Sequence, residues 1–300
     1  MSLSAIVAEE EDAQLSVALA RAAELRLHRD PYWLTLLHYR DGRSTIDDPT
    51  FFLTRDGDRD AAGELVATLT GVLRGDAPGT PEPQHPMLGK AIAARFPART
   101  EWLCAQLGIP RAGLPVDGPA QVDAQLADIQ PRGLVLVFAS GYLSSPASMF
   151  GHTLLLVRGR ADSPLLAQGV NYAAQVPATG SDPFSAIKGL FGVYHGLFSV
   201  LPYHRKVQEY TDLNQRDLWE YELAMTPEDV RRLMLHAWEL QGIWSSYWFF
   251  DENCSFNLAA LLESARPGLK LSQRAGAWVL PADTVRWVRD AGLISSVSYR

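Results

Sequence analysis

The sequence predicts an α+β fold, with a mainly helical N-terminal region over residues 1–115 and a domain of strands and helices over residues 116–300. Apolar residues recur at helical spacing through much of the first region. In the second region, the runs 134–138 and 153–157 are short, apolar and rich in branched residues, as is typical of buried strands. The proline- and glycine-containing stretch 108–118 separates the two patterns, so we place the boundary there.

Helices in the N-terminal region are expected at about 12–37, at about 60–73, and from the segment 95–99 to about 107. Asp30-Pro31 interrupts the first of them, because the residue before a proline disfavours helical geometry. Residues 76–83 are rich in proline and glycine and predict a loop.

The second region alternates between strand and helix patterns. Strands are expected at 134–138, 153–157, 165–170 and about 216–225, and the glycine-rich stretch 189–196 is expected to be a loop. Thr226 followed by Pro227 predicts a capped helix that runs to about Gln241. An aromatic cluster at 244–250 then leads into a further helix near Cys254.

Composition narrows the function classes. The chain is 47% hydrophobic, which is ample for a large core, and its net charge of −7 gives no basis for nucleic-acid binding. Two cysteines exclude a disulfide framework, and without a CxxC or HExxH motif we expect neither metal nor cofactor. No apolar run of about 18 residues is present. The first residues lack the positive segment and long apolar core of a secretory signal peptide.

Cys254 is the strongest candidate for chemistry. It follows Asp251 and Asn253, either of which can cap a helix whose apolar residues then recur at helical spacing. Cys254 therefore falls in the first turn, where the helix dipole and unpaired N–H groups favour the thiolate, the nucleophilic form of cysteine.

His152 is the candidate base, because it directly precedes the apolar strand pattern 153–157. A cysteine at a helix start beside a histidine-bearing strand is typical of papain-like thiol enzymes. Here the histidine precedes the cysteine in the chain, which predicts a circularly permuted arrangement with the thiol open to a groove. The alternative from spacing alone is a buried inert cysteine and a structural histidine.

Four segments together resemble the family of the Lnb N-terminal periplasmic domain: 148–155, 188–196, 216–221 and 247–255. The resemblance implies a permuted papain-like fold of the NlpC type, similar in its order to lecithin:retinol acyltransferase. It also implies a periplasmic or cell-envelope location and acyl-transfer chemistry. The protein for which the family is named is a membrane-bound lipoprotein N-acyltransferase, whereas this sequence has no apolar run long enough to span a membrane.

The remaining site residues are predicted around this pair. Asn171 is expected to orient His152, with Gln168 as the alternative; three residues apart on a strand, the two face opposite sides. Ser148, Tyr194, His195 and Asn253 are predicted to contact substrate. His195 is also a second candidate base, in a loop beside the cleft.

The leading functional hypothesis is a thiol enzyme that transfers or hydrolyses acyl groups on a lipid, lipoprotein or peptide, with peripheral contact to a membrane. A non-catalytic envelope binding module on the same fold is the first alternative. A cell-wall cysteine peptidase, which would share the site and differ in substrate, is the second. The pH dependence of thiol alkylation separates an enzyme from a binding module.

Overall fold

The computed structural model describes residues 3–75, 91–141, 150–159, 167–175, 193–202, 217–276 and 278–299. Contacts divide the chain into two compact units, Met1–Ala124 and Gln125–Arg300. This division falls within a helix at Gly118–Ile129, just after the proline- and glycine-containing stretch that marks the boundary in the sequence.

Helices dominate the first unit. They are α1 (Leu3–Glu24), α2 (Pro31–Leu36), α3 (Ala61–Arg74), α4 (Ile92–Arg95) and α5 (Pro97–Leu107), and α6 (Gly118–Ile129) begins there. A short hairpin of β1 (Tyr39–Arg40) and β2 (Arg43–Ser44) lies between α2 and α3. The predicted interruption at Asp30-Pro31 is confirmed, because the Asp30 side chain caps α2 and Pro31 is its first residue.

Aromatic packing and one buried ion pair hold the first unit together. Trp33 is fully buried and stacks on Trp102, with ring centroids 5.6 Å apart. The Arg99 guanidinium donates to the Glu64 carboxylate over 2.9 Å, and both side chains are inaccessible to solvent. Glu64 also accepts from the backbone N–H of Leu53, so the buried charge has hydrogen-bond partners as well as a counter-ion.

An antiparallel sheet of seven strands forms the centre of the second unit. The strands are β3 (Gly133–Ala139), β4 (His152–Arg158), β5 (Gln168–Ala174), β6 (Tyr194–Pro202), β7 (Leu218–Leu223), β8 (Trp244–Tyr247) and β9 (Ile294–Tyr299). Their spatial order is β8-β6-β5-β4-β3-β7-β9. The central strands β3 and β4 are almost entirely buried, which is why their sequences are continuously apolar rather than alternating.

Three helices pack with this sheet: α7 (Pro227–Glu239), α8 (Cys254–Ala265) and α9 (Pro281–Asp290). The predicted start of α7 is confirmed, since Thr226 and Asp229 form a reciprocal capping box around Pro227. Helix α8 contacts α7 and α9 as well as strands β4 and β5, and every one of its residues is buried. It is therefore the central helix of the second unit.

Several elements differ from the sequence predictions. The stretch expected to be a loop contains the start of β6, and the aromatic cluster contains β8. The third expected strand is shifted, because β5 runs over 168–174; residues 160–166 lie outside the described part. β8 is only four residues long, and β9 is serine-rich and largely exposed, so neither shows a clear apolar period. Among the described helices, none has both the length and the apolar composition that crossing a bilayer requires.

Candidate active site

Cys254 is the first residue of α8, and Asn253 sets the start of that helix. The Asn253 side-chain oxygen accepts from the backbone N–H of Ser255 over 2.9 Å and of Phe256 over 3.4 Å. Its amide group donates to the backbone carbonyls of Phe249 and Val279. The structure therefore selects Asn253 over Asp251 as the cap. These bonds use both amide hydrogens and the side-chain oxygen, so Asn253 positions the start of α8. Its contact with substrate stays a prediction.

The backbone before β4 places His152 at the end of the sheet. Gly151 has a φ of +87°, and a side-chain carbon at this position would lie 2.7 Å from the backbone oxygen of Ala139. Only glycine accepts both the left-handed conformation and this close approach. His152, the next residue, opens β4 and pairs with Ala139.

Asn171 lies within hydrogen-bonding distance of His152. Its side-chain oxygen is 2.6 Å from the His152 Nε2, and the Asn171 side chain is buried. The amide oxygen is an acceptor, so Nε2 carries the hydrogen and Nδ1 is left for the thiol. Gln168 pairs with Val157 and projects from the opposite face of β5, so it cannot make this bond.

The Cys254 thiol is hydrogen-bonded to His152 and to Thr153, whose Oγ1 lies 3.8 Å from Sγ. Burial alone raises the pKa of Cys254, but the adjacent His152 charge, the hydrogen bond to His152 and those to Thr153 outweigh it and lower the pKa to about 7. A substantial fraction of Cys254 is therefore ionised to the thiolate near neutral pH.

The expectation that the thiol opens onto a groove is wrong for this conformation. Cys254 is only 1% exposed, because α8 is the central helix and its first turn packs against β4 and β8. Little water surrounds the buried thiol, so the surroundings screen charges weakly. Weak screening disfavours an isolated thiolate, but it also strengthens the attraction between the thiolate and a positively charged His152.

Two residues that the sequence did not single out also lie beside Cys254. Thr153 follows His152 on β4. Tyr247 ends β8 close enough to Cys254 for the thiolate charge to act on its hydroxyl. Tyr247 precedes Cys254 by seven residues within a cluster of similar aromatic residues, and no local pattern distinguishes it from its neighbours. Only the position of β8 beside β6 makes it part of the site.

The other predicted substrate contacts are more distant or outside the described residues. His195 belongs to β6 and not to a loop, pairs with Ser246 and is exposed, with its ring stacked on Trp244 at 4.1 Å. Strand β5 lies between β6 and β4, which separates His195 from His152. Tyr194 is buried and pairs with Tyr247. Ser148 lies outside the described residues.

An aromatic wall formed by Phe150, Phe250 and Trp278 connects the two candidate catalytic segments. Phe150 precedes His152 by two residues, Phe250 precedes Cys254 by four, and their ring centroids are 5.4 Å apart. Phe250 also meets Trp278 at 4.9 Å, and Trp278 is 69% exposed. The wall is therefore an apolar surface that reaches solvent beside the site.

The described residues offer no group of three or more His, Cys, Asp or Glu side chains placed to hold a metal ion. The chemistry that this arrangement can perform is nucleophilic attack by a thiolate, assisted by an oriented imidazole.

Replacing Asn171 with alanine is expected to slow attack by the Cys254 thiolate on an acyl donor by about 10- to 100-fold, less than the full contribution of about 10²–10⁴ from a general acid–base group. The reason is that His152 would lose the acceptor that holds its ring and tautomer. The measurement is the acylation rate of Cys254 as a function of pH. The midpoint of its rise, which reports ionisation of the thiol, should move to higher pH. Gln168→Ala is the matched control on the other face of β5; a larger effect there than at Asn171 would reverse the assignment.

Comparison with known proteins agrees with this architecture. A family model described as the Lnb N-terminal periplasmic domain matches residues 120–291, more than half of the chain, and one described as a domain of unknown function (DUF7843) matches residues 25–106. No curated protein and no solved structure matches the chain. The first match includes His152, Asn171 and Cys254 and gives the protein a periplasmic, cell-envelope location. The chain therefore belongs to the Lnb N-terminal periplasmic domain family.

Proposed function

We propose that this protein is a thiol-dependent acyl-transfer enzyme of the bacterial envelope, with a circularly permuted papain-like catalytic domain. The observation that carries the proposal is the hydrogen-bonded series Cys254–His152–Asn171, with the thiol at the first residue of a helix. Asn171 orients the His152 imidazole, and the imidazole in turn stabilises the Cys254 thiolate.

The reaction proceeds through an acyl-enzyme. The Cys254 thiolate attacks the acyl carbonyl carbon, a C–S bond forms, and the carbonyl π electrons move to oxygen. The tetrahedral intermediate then collapses, the bond to the leaving group breaks, and the His152 imidazolium gives its proton to that group. An amine, alcohol or water next attacks the thioester carbonyl carbon and gives its proton to His152. The C–S bond then breaks, the acyl product leaves, and the Cys254 thiolate and the His152 imidazolium are regenerated.

The substrate class we favour is an ester, thioester or amide whose acyl group is apolar, carried by a lipid, lipoprotein or peptide. The aromatic wall supports this choice, because Trp278 and Phe250 offer an apolar surface next to the segment that carries Cys254. Tryptophan at such a position also suits peripheral contact with a membrane surface.

A purified sample should form an acyl-enzyme with a simple acyl donor. We expect p-nitrophenyl acetate and octanoate to release about one equivalent of p-nitrophenol per chain in a fast phase, with an acyl mass on the peptide that contains Cys254. The octanoate should react faster if the aromatic wall receives the chain. Cell-wall peptides form the comparison arm: cleavage of these alone would favour the peptidase.

A non-catalytic binding module is the competing function, and the burial of Cys254 is the observation that favours it. Under that alternative no acyl donor would label Cys254 while the folded protein still bound envelope lipid or peptide. The acyl-enzyme experiment separates these outcomes directly.

A further inference from the structure

Thr153 places a hydroxyl in an otherwise apolar stretch of β4. It is the one polar residue in the run 153–157, where leucines and a valine follow it. Its side chain is inaccessible to solvent, so water does not satisfy the hydroxyl. Valine has the same branched shape, suits a strand equally well and would avoid the cost of burying a polar group. The hydroxyl therefore needs an acceptor inside the protein.

The acceptor that the structure provides is the nucleophile itself. The Thr153 Oγ1 donates to the Cys254 Sγ over 3.8 Å, and both residues are buried. A neutral thiol sulfur is a weak acceptor, whereas a thiolate accepts a stronger, charge-assisted hydrogen bond. Because solvent reaches neither residue, water does not compete for this bond. The contact therefore favours the ionised form of the sulfur.

The sheet fixes the position of this donor. Thr153 pairs with Phe138 of the neighbouring strand β3, and α8, which carries Cys254, packs against β4. A branched side chain on a strand has few allowed rotamers, so little freedom remains to be lost when the bond forms. The hydroxyl is therefore oriented toward the sulfur before any substrate binds.

The other groups near the thiol can change their charge, and Thr153 does not. His152 on β4 is the positive neighbour, and its charge depends on its own protonation. Tyr247 on β8, with Tyr172 of β5 stacked on it, lies close enough for the thiolate charge to act on it. Burial and that charge raise the pKa of Tyr247 well above its usual value, so it stays neutral while the thiol ionises. The threonine hydroxyl remains a donor throughout that range.

We propose that Thr153 is a further catalytic residue, whose hydroxyl donates to the Cys254 thiolate and holds it ionised until it attacks the acyl carbonyl. During attack a sulfur lone pair forms the C–S bond, the carbonyl π electrons move to oxygen, and the O–H···S hydrogen bond weakens. No proton passes between Thr153 and Cys254. This inference rests on the proposed function.

The consequence is a division between ionisation and reactivity. The hydroxyl stabilises the resting thiolate more than the transition state, in which the sulfur has lost much of its charge. It therefore increases the fraction of sulfur that is ionised at neutral pH, while each thiolate becomes a somewhat weaker nucleophile. An oxyanion donor would behave differently, because its loss slows the reaction at every pH.

Thr153→Val is the informative variant, because it removes the hydroxyl and keeps the branched shape. The midpoint of Cys254 ionisation should move upward by about one pH unit, as for loss of one hydrogen bond to a charged group. Ultraviolet absorbance of the thiolate, with that of a Cys254→Ala variant subtracted, measures this midpoint without a reagent having to reach the buried sulfur. Acylation by p-nitrophenyl acetate should be about two- to fivefold slower at pH 7, and equal to wild type or up to about threefold faster at pH 10.

Three further variants control for packing. Thr153→Ser keeps the hydroxyl and should restore the wild-type midpoint. Thr153→Ala also lacks the hydroxyl and should shift the midpoint as valine does, which keeps the test available if the valine variant does not fold. Thr100→Val removes a buried hydroxyl in α5 that donates to the Phe96 carbonyl, and it should match wild type. Thermal unfolding establishes which variants are folded.

The outcomes separate this inference from the proposed function. An unchanged midpoint in a folded variant that lacks the Thr153 hydroxyl would overturn the role of Thr153. An equal loss of acylation rate at pH 7 and pH 10, with the midpoint unchanged, would make Thr153 a structural residue and also contradict the proposal. Absence of acylation in the wild type would remove the acyl-transfer function, while the absorbance midpoint would still test the bond from Thr153 to the thiolate.

Discussion

Replacing Cys254 with alanine is expected to abolish acyl-enzyme formation, with a loss of at least about 10⁴-fold in the rate of acyl transfer. Cys254→Ser should be almost as inactive, because a serine hydroxyl is not ionised near neutral pH and the site is arranged to stabilise a thiolate. The measurement is the burst of p-nitrophenol, followed by intact mass. Iodoacetamide labelling at pH 7 should disappear in the same variants.

Cys104 is the matched control for this prediction. It is also buried, in α5, and burial raises its pKa to about 11. Cys104→Ala should therefore keep both the burst and the neutral-pH labelling. If iodoacetamide labels the Cys254→Ala protein as fast as wild type, the reactive thiol is Cys104 and the assignment of the nucleophile is wrong.

Replacing His152 with alanine is expected to have the second largest effect, a loss of about 10³–10⁴-fold in acyl transfer. Two losses contribute. The leaving group no longer receives a proton from the imidazolium, and the Cys254 thiolate loses its positive neighbour and a hydrogen bond. Burial then dominates, so the pKa of Cys254 should rise from about 7 to above the ordinary value of about 8.5.

The pH dependence of alkylation measures that second loss. Wild-type labelling should be half-maximal near pH 7, and the variant should need a pH above about 8.5 to reach the same fraction. His195→Ala provides the matched comparison, because His195 is an exposed histidine on β6 of the same sheet. A shift in the His195 variant with none in the His152 variant would assign the base to the other strand.

Burial and the His152 charge have opposite effects on the pKa of Cys254, which makes Cys254 and His152 interdependent. A thiol that is 1% exposed would stay protonated at neutral pH without a nearby charge. In the same low-dielectric surroundings, the His152 charge acts on the thiol more strongly than it would in water. Removal of either member should therefore affect the other far more than at an exposed site.

Much of the candidate site could be predicted from sequence because its determinants are local. The start of α8 follows from Asn253 and the apolar period behind it, and the capping box of α7 follows from Thr226 and its neighbours. The strand that begins at His152 follows from a buried apolar run. The resemblance to the family then predicted that these local features belong to one domain.

Other parts of the molecule depend on contacts between residues far apart in the chain. Between Asn171 and Gln168, only the register of β5 against β4 decides which side chain faces His152. Tyr247 lies near Cys254 because β8 forms the sheet edge beside β6, although β6 and β8 are separated by β7 and α7 in the chain.

The sequence by itself determined the α+β class, the capped helix that begins at Cys254 and the strand that begins at His152, because hydrogen bonding and periodicity within one element specify them. Only the tertiary structure decided that Asn171 orients toward His152, that Thr153 contacts the thiol and Tyr247 lies near it, and that the thiol is buried. Strand order and register bring these groups together, and both arise from non-local pairing and packing, which no short stretch of residues encodes.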